Sequence, residues 1–136
     1  MPGTKTNYFE GEVLKWSTGQ VNALGPAMNP WLALYTTAPT DAGGGVEVAG
    51  GGYQRVNTTG MWAVPFVLGP RTITRNNAIV AFLIATGNWG IINGCAILDA
   101  FAGGNMIWWA TLTVPVEVKV NYILQFGVND LVLSDT

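Results

Sequence analysis

The residues of this chain that could do chemistry are mostly carboxylates, because the other common catalytic side chains are scarce. The sequence contains no histidine, two serines and one cysteine, Cys95. The usual pairs of a nucleophile and an activating base therefore cannot be assembled. One thiol without an imidazole also supplies too few ligands for a tetrahedral zinc site. Cys95 lies in the apolar run Ile91–Leu98, so we expect a buried, inert thiol.

The remaining candidates are carboxylates at scattered positions: Asp41, Glu47, Asp99 and Glu117. Two of them brought together could hydrolyse a glycosidic bond, one as the acid and the other as the nucleophile or base. Asp41 and Asp99 border predicted turns, where acidic side chains usually accept local backbone hydrogen bonds. The acidic residues also lack the spacing of a calcium loop. We therefore expect no enzyme activity, no metal site and no cofactor.

Two triple-glycine clusters, at residues 43–45 and 50–52, mark the most distinctive segment of the chain. Glycine adopts positive φ without steric cost, so the chain can reverse direction twice within a few residues. Neither cluster has the Lys-Ser/Thr of a nucleotide-binding loop or the strand–helix context of a dinucleotide fingerprint. Between the clusters, Val46, Glu47 and Val48 favour a short strand that projects as a contact element. These three are candidate protein–protein contact residues.

The composition predicts a folded chain whose surface carries unusually little charge. Charged residues make up 10% and apolar residues 49% of the 136 residues, so part of the surface must be apolar or neutral. The basic residues are scattered and the net charge is -2, which argues against binding nucleic acid through its phosphates. The longest apolar run, Ala78–Ala85, is far shorter than the roughly 18 residues of a membrane-spanning helix. Glu10 and Glu12 interrupt any signal-peptide core, so we expect synthesis in a cytoplasm.

The periodicity predicts one helix followed by many strands. Asn7 is expected to cap a helix over about residues 7–18 that carries Phe9, Val13 and Trp16 on one face. After it, short runs rich in β-branched and aromatic residues recur about every 8–12 residues. They predict strands at residues 31–36, 53–58, 61–67, 71–74, 79–84, 91–99, 106–113, 121–126 and 130–134. The fold class is therefore mainly β, a single-domain antiparallel β-sandwich over residues 7–136 with one N-terminal amphipathic helix.

A hairpin and an N-terminal segment complete this expected fold. Ala100–Asn105 contains Gly-Gly-Asn between two strong strands, which suits a hairpin. Residues 1–6 are polar and irregular, and we expect them to form an N-terminal arm that reaches a neighbouring molecule, with a frayed terminus as the alternative.

The adjacent Trp108 and Trp109 must lie on opposite faces of their strand, because successive side chains alternate. We expect one face to belong to the core: Met106, Trp108, Ala110 and Leu112. Trp109 then lies outside the core. Two explanations stay open: the N-terminal helix covers Trp109 and Ile107, or Trp109 makes a subunit contact.

Two long stretches resemble a known family: ALYTTAPTDAGGGVEVAGGGYQR at Ala33–Arg55 and TGNWGIINGCAILDAFAGGNMIWWATL at Thr86–Leu112. The resemblance is to small tailed-bacteriophage virion proteins of the tail-fibre-like family, and it continues through the closing run Leu124–Leu133. The regions Gly60–Val67 and Val116–Val120 depart from it, and such departures indicate a surface specific to this protein. Gly60–Val67 holds Trp62 and Phe66, which join Trp109 as candidate contact residues.

The resemblance implies a β-rich structural protein of a tailed-bacteriophage virion, made in the host cytoplasm. The single-domain length, without repeats or heptads, favours a capsid decoration (cement) protein on the outer capsid surface. Its partners would be the major capsid protein and copies of itself, with a homotrimer implied by the resemblance. We expect no nucleic acid, membrane or small-molecule substrate. The alternatives are a tail-fibre or tail-tip component, or a glycan-binding receptor-recognition module that uses Trp62 or Trp109 as a sugar platform.

Overall fold

The computed structural model describes residues 2–21, 23–25 and 27–135. Within them lie the following elements: β1 Pro2–Lys5, α1 Asn7–Ser17, β2 Trp31–Thr37, β3 Val46–Glu47, β4 Val56–Asn57, β5 Phe66–Leu68, β6 Arg71–Arg75, β7 Val80–Ala81, β8 Gly90–Leu98, β9 Met106–Val118, β10 Gln125–Phe126 and β11 Val132–Asp135. The predicted class, mainly β with one N-terminal helix, is confirmed. No helix in the described residues is both long and apolar enough to cross a bilayer.

Most strands belong to one large sheet in the order β3-β2-β8-β9-β1-β11-β6-β5. β4 also pairs with β2, and β7 and β10 form a separate two-stranded sheet. The pairings are antiparallel except that between β1 and β11, which is parallel. The sheet is therefore mixed at a single point, where the N-terminal strand lies beside the C-terminal one.

The main core lies between two parts of this sheet, one containing β2 and β8 and the other containing β11. Leu32 of β2 and Ile97 of β8 share one buried cluster with Leu131, which directly precedes β11. Val80 and Phe82, in and next to β7, belong to the same cluster and are 0% and 3% exposed. The sheet therefore folds over its own apolar face, with the small β7–β10 sheet closing the core.

The central hairpin joins β8 to β9 through residues 99–105, as predicted. Asp99 Oδ1 accepts a hydrogen bond from the Asn105 backbone N–H at 2.7 Å. Gly103 and Gly104 have φ values of 62° and 81°, which side chains with a Cβ rarely adopt. The predicted local bond to Asp99 is therefore present, and it fixes the turn.

The two faces of β9 follow the predicted alternation except at Met106. Trp108, Ala110 and Leu112 pack in the main core, and Trp109 lies in a second cluster on the opposite face. The register shifts between Ile97↔Trp108 and Leu98↔Met106, because Ile107 is an extra residue. This bulge turns Met106 to the Trp109 side, so its predicted place in the core face is wrong.

Helix α1 is capped by Thr6, so the prediction of Asn7 as the cap is wrong. Thr6 Oγ1 accepts a hydrogen bond from the Phe9 backbone N–H at 3.3 Å and donates one to the Met106 carbonyl at 2.6 Å. The Phe9 ring meets the Trp108 ring edge-on, with centroids 5.9 Å apart. Trp16 is 64% exposed, so it does not share the packed face predicted for it. α1 packs on β9.

Residues 2–6 lie inside the fold and not in the projecting arm expected from their polarity. Thr4 and Lys5 pair with β9, and Gly3 pairs with β11. Lys5 Nζ lies 2.7 Å from Asp135 Oδ1. Backbone pairing requires no apolar side chains, which is why the polar composition misled the prediction. Met1 lies outside the described residues.

Candidate interaction surface

The glycine-rich segment is a fixed part of the fold. β3 and β4 pair with the same strand, β2, and the chain between them leaves the sheet edge. The Gly51 carbonyl accepts hydrogen bonds from Trp89 Nε1 at 2.8 Å and from the Thr86 backbone N–H at 2.9 Å. A Cβ on Gly51 would lie 2.9 Å from Trp89 Cδ1, and its φ is +58°. Glycine at position 51 is therefore required for this close contact.

A network around Arg55 ties this segment to the central hairpin. Arg55 Nε and Nη2 each donate to a different carboxylate oxygen of Glu47 at 2.8 Å. Arg55 Nη1 donates to the carbonyls of Ala100 and Gly103, both at 2.8 Å. The Tyr53 hydroxyl donates to Glu47 Oε2 at 2.7 Å. The Arg55 side chain is 7% exposed and the Glu47 side chain 25%, so this is a largely buried pair with full hydrogen bonding.

Burial and hydrogen bonding shift the pKa values of Glu47 and Tyr53 in this network. Burial is the largest influence on the pKa of Glu47 and raises it, but the hydrogen bonds and charge of Arg55, with the Tyr53 hydrogen bond, lower it overall. Burial, followed by the hydrogen bond to Glu47, raises the pKa of Tyr53. Glu47 therefore stays ionised and Tyr53 stays protonated at neutral pH. The network is structural, because its donors and acceptors are used internally.

The candidate contact residues Val46, Glu47 and Val48 consequently occupy three different environments. Val46 is 55% exposed, whereas Val48 is 5% exposed and belongs to the main core. The Glu47 carboxylate accepts hydrogen bonds from Arg55 and Tyr53. Of the three, Val46 is the most exposed at the surface of the folded chain.

Trp109 is half-buried and contacts the turn before β3. Its Nε1 donates to Asp41 Oδ1 at 2.8 Å, and the ring lies in the second cluster with Tyr35. The Asn7 backbone N–H also donates to the Asp41 carbonyl at 2.9 Å. Asp41 therefore joins the start of α1 to β9. Sequence reasoning missed this bond, because the two partners are 68 positions apart.

The other two candidates, Trp62 and Phe66, lie near the far end of the sheet. Trp62 is half-buried against the main core, and its Nε1 donates to Thr58 Oγ1 at 3.0 Å. Phe66 is 40% exposed, with the Arg75 guanidinium carbon 5.4 Å from its ring centroid. Trp62 is thus used inside the fold, while Phe66 is available at the surface.

Phe66 belongs to an exposed apolar surface, here named the β5 edge: Val64, Phe66, Val67 and Leu68. These side chains are 85%, 40%, 74% and 54% exposed. β5 pairs only with β6 and ends the sheet, so within the described residues its other edge is unpaired. No charged residue occurs between Arg55 and Arg71. Soluble proteins usually protect such an edge with charge or cover it, so the β5 edge has the character of a contact surface.

The four carboxylates considered for glycosidase chemistry each have a separate partner. Asp41 accepts a hydrogen bond from Trp109, and Glu47 binds Arg55. Asp99 accepts a hydrogen bond from Asn105, and Glu117 lies 3.3 Å from Lys119. Among the described residues, no group of three or more Asp, Glu, Cys or His side chains is placed to hold a metal. Burial raises the pKa of the Cys95 thiol to about 12, which leaves it protonated.

The comparisons with known proteins identify one family. The family model described as "Podophage GP4 fiber I protein gp80" matches residues 4–134 of the chain. No curated protein matches the chain. The matched range contains the helix, both glycine clusters and the β5 edge.

Proposed function

The chain belongs to the family of the podophage GP4 fiber I protein gp80, and from this membership we propose that it is a fibre subunit of a tailed-bacteriophage virion that acts by binding alone. The observation that carries the proposal is the extent of the match, which begins within β1, ends within β11 and includes every element between them. The function is structural: the protein holds neighbouring virion proteins together and transforms no substrate.

The β5 edge supports a function in binding. Its exposed apolar side chains and unpaired backbone groups suit a partner strand that adds to the sheet. Main-chain hydrogen bonds would give affinity, and the exposed apolar side chains would favour an apolar partner strand. The occupant we propose is a second copy of this chain, because an unpaired edge strand can pair with the same edge of another copy.

The location is tested by fractionating purified virions into heads and tails and imaging intact particles by cryo-electron microscopy. A fibre subunit is expected at a small number of copies at fixed appendage positions. Absence of the chain from purified virions would overturn the proposal.

A second candidate is a capsid decoration protein on the outer capsid surface. It is favoured by the shape of the described residues, which form one sheet-based unit with a single 11-residue helix and no extended shaft. Such a protein would bind the assembled shell and not loose subunits, and so would stabilise the shell by mass action. The same images separate the two candidates, because a decoration protein would occupy icosahedral positions in hundreds of copies.

The contact surface is tested with the substitution Val67→Glu, in the middle of the β5 edge. Burying an unpaired carboxylate in an apolar contact is costly, so we expect about tenfold or greater loss of incorporation into virions. Val21→Glu is the matched control, because Val21 is 96% exposed and lies outside this surface. Copies per virion are counted by quantitative mass spectrometry, and both variants should unfold at the wild-type temperature. Wild-type incorporation of Val67→Glu would show that the β5 edge is not the contact.

A further inference from the structure

The part of the sheet built from β5, β6 and β11 has an outer face, which points away from the main core. Strand pairing places Phe66, Ile73 and Ser134 side by side on this face, whereas Leu133 points the other way and packs in the main core. The outer face, here named the arginine face, carries Phe66, Leu68, Arg71, Ile73, Arg75 and Ser134. It therefore presents apolar side chains and two arginines together.

The two arginines are the basic residues that the fold leaves without a counter-charge. The chain has six Lys and Arg residues. Four of them form ion pairs: Lys5, Lys15, Arg55 and Lys119. Within the described part of the chain, Arg71 and Arg75 pair with no carboxylate. Asp135, the one acidic residue of β5, β6 and β11, points to the opposite face and pairs with Lys5. The arginine face is therefore positively charged in a chain whose net charge is -2.

Arg75 is held in place, but polar atoms beside it are unsatisfied. Its guanidinium carbon lies 5.4 Å from the Phe66 ring centroid, in a cation–π contact that restricts the side chain. Arg75 Nε is buried and makes no hydrogen bond within the described residues, and the same is true of Ser134 Oγ on the neighbouring strand. Native proteins usually satisfy such atoms. The face is thus short of hydrogen-bond acceptors, and a carboxylate is the acceptor that an arginine binds best.

The apolar side chains beside the arginines indicate a protein segment and not a bare anion. Phe66 and Leu68 are 40% and 54% exposed, and Ile73 lies between the two arginines along β6. A phosphate or a nucleic-acid backbone would use the charges and leave this apolar area in water. A second copy placed face to face would oppose the arginines with its own, so like charges disfavour it. The best match is a segment of a different protein that carries both carboxylates and apolar side chains.

We propose that the arginine face binds an acidic segment of a second virion protein. Arg71 and Arg75 are four positions apart on β6, so their Cα atoms are about 13 Å apart. An extended segment has the same rise, so carboxylates at its positions i and i+4 would meet the two arginines, with an apolar residue at i+2. That the partner belongs to the virion rests on the proposed function, whereas its acidic chemistry rests on this face alone. Val67, which tests the β5 edge, points to the opposite face, so the two contacts can be tested separately.

The chemistry is tested by titrating the purified full chain with the peptide acetyl-Thr-Glu-Thr-Leu-Thr-Glu-Thr-amide, followed by heteronuclear NMR. We expect millimolar binding, with the largest shifts at the backbone amides of β6. The matched peptide with Gln in place of both Glu residues should bind about 3–10-fold more weakly, as expected for the loss of two exposed ion pairs. Inorganic phosphate, an anion without apolar groups, should also bind more weakly. No binding of the Glu peptide, or equal binding of either comparison, would overturn the proposal.

Two variants locate the binding. Arg75→Gln should weaken binding of the Glu peptide about threefold or more and leave binding of the Gln peptide unchanged. Arg71→Gln should do the same, and it decides alone if Arg75→Gln does not fold. Lys119→Gln is the matched control, because it removes one cation whose side chain is 55% exposed and lies outside this face. Losses of equal size in the control and the arginine variants would trace the effect to net charge and overturn the proposal.

The partner is identified in purified virions that carry Arg75→Lys. This variant keeps the charge and supplies an amine that a water-soluble carbodiimide couples to a contacting carboxylate. We expect a cross-link to an Asp or Glu of a different virion protein, found by mass spectrometry. Thr72→Lys is the matched control, because Thr72 lies on the same strand, faces the other way and pairs with Asp135, so its cross-link should stay within the chain. A cross-link from the Arg75→Lys variant only to the same chain or to another copy of it would overturn the proposal, whereas absence of the wild-type chain from virions is the separate failure of the proposed function.

Discussion

Replacing Arg55 with methionine should destabilise the fold more than its single charge suggests. Arg55→Met keeps most of the aliphatic stem but removes every donor of the guanidinium. Glu47 would lose both of its bonds to Arg55, and the carbonyls of Ala100 and Gly103 would lose the donor Nη1. The connection between the glycine-rich segment and the central hairpin would then depend on packing alone.

The magnitude follows from the burial of the pair. Breaking a fully buried ion pair costs about 3–5 kcal/mol, and the 25% exposure of Glu47 lowers that figure. The two carbonyls that lose the Arg55 Nη1 donor raise the expected cost again. We expect a loss of about 2–4 kcal/mol in the free energy of unfolding, or roughly 3–4 °C in Tm per kcal/mol for a chain of this size.

The loss should depend on pH in a defined direction. The pKa of Glu47 is lowered in the folded state from its usual value of 4.5. The stability that its ionised form contributes is therefore fully present above about pH 4.5 and lost as pH falls through the folded pKa. The difference between wild type and Arg55→Met should accordingly shrink below about pH 4.5.

Urea unfolding followed by tryptophan fluorescence measures both effects. Lys119→Met is the matched control, because Lys119 and Glu117 form an ion pair in which both side chains are 55% exposed. Exposed pairs contribute about 0–1 kcal/mol, so this variant should unfold almost as wild type does. A loss below about 1 kcal/mol for Arg55→Met at neutral pH would refute the reasoning, since the network would then be no stronger than a surface pair.

Two further substitutions test close contacts. Gly51→Ala should cost about 2–4 kcal/mol, because positive φ alone costs about 1–2 kcal/mol and the new Cβ would also meet Trp89 at 2.9 Å. Gly50→Ala, which has a similar φ of +77° and open space around its Cβ, should cost only the backbone part; equal losses in urea unfolding would contradict the contact. Thr6→Ala should cost about 1–3 kcal/mol, because it removes the helix cap and leaves the Met106 carbonyl without its Thr6 donor. Thr6→Ser keeps the hydroxyl and should retain most of the stability in thermal unfolding, so equal destabilisation by both variants would rule out the hydroxyl as the cause.

The accuracy of the sequence-based prediction varied with the range of the signal. The strand near Trp31 and the 99–105 hairpin were placed closely, because alternation and turn residues act over a few positions. The runs predicted at 79–84 and 121–126 contain only the short strands β7 and β10. Apolar side chains in these runs pack into the core although most of the backbone that carries them is irregular. Composition alone cannot distinguish such a run from a strand.

The sequence predicts the candidate surface only in part. The departure of Gly60–Val67 from the family pattern pointed to the region of the β5 edge, and Phe66 lies in it. Trp62 lies in the same region, but the structure uses its ring inside the fold. The exposure of a side chain depends on which residues from distant parts of the chain pack against it. The residue type at one position does not specify those neighbours.

The sequence by itself determined the class of the fold, the place of the helix, the opposed faces of Trp108 and Trp109, and the low surface charge. Each of these follows from residue types and short-range periodicity. Only the tertiary structure decided that β1 lies between β9 and β11, that Asp41 meets Trp109, and that Arg55 joins the glycine-rich segment to the central hairpin. These arrangements depend on backbone edges and single polar bonds between distant positions, and neither leaves a periodic signal in the sequence.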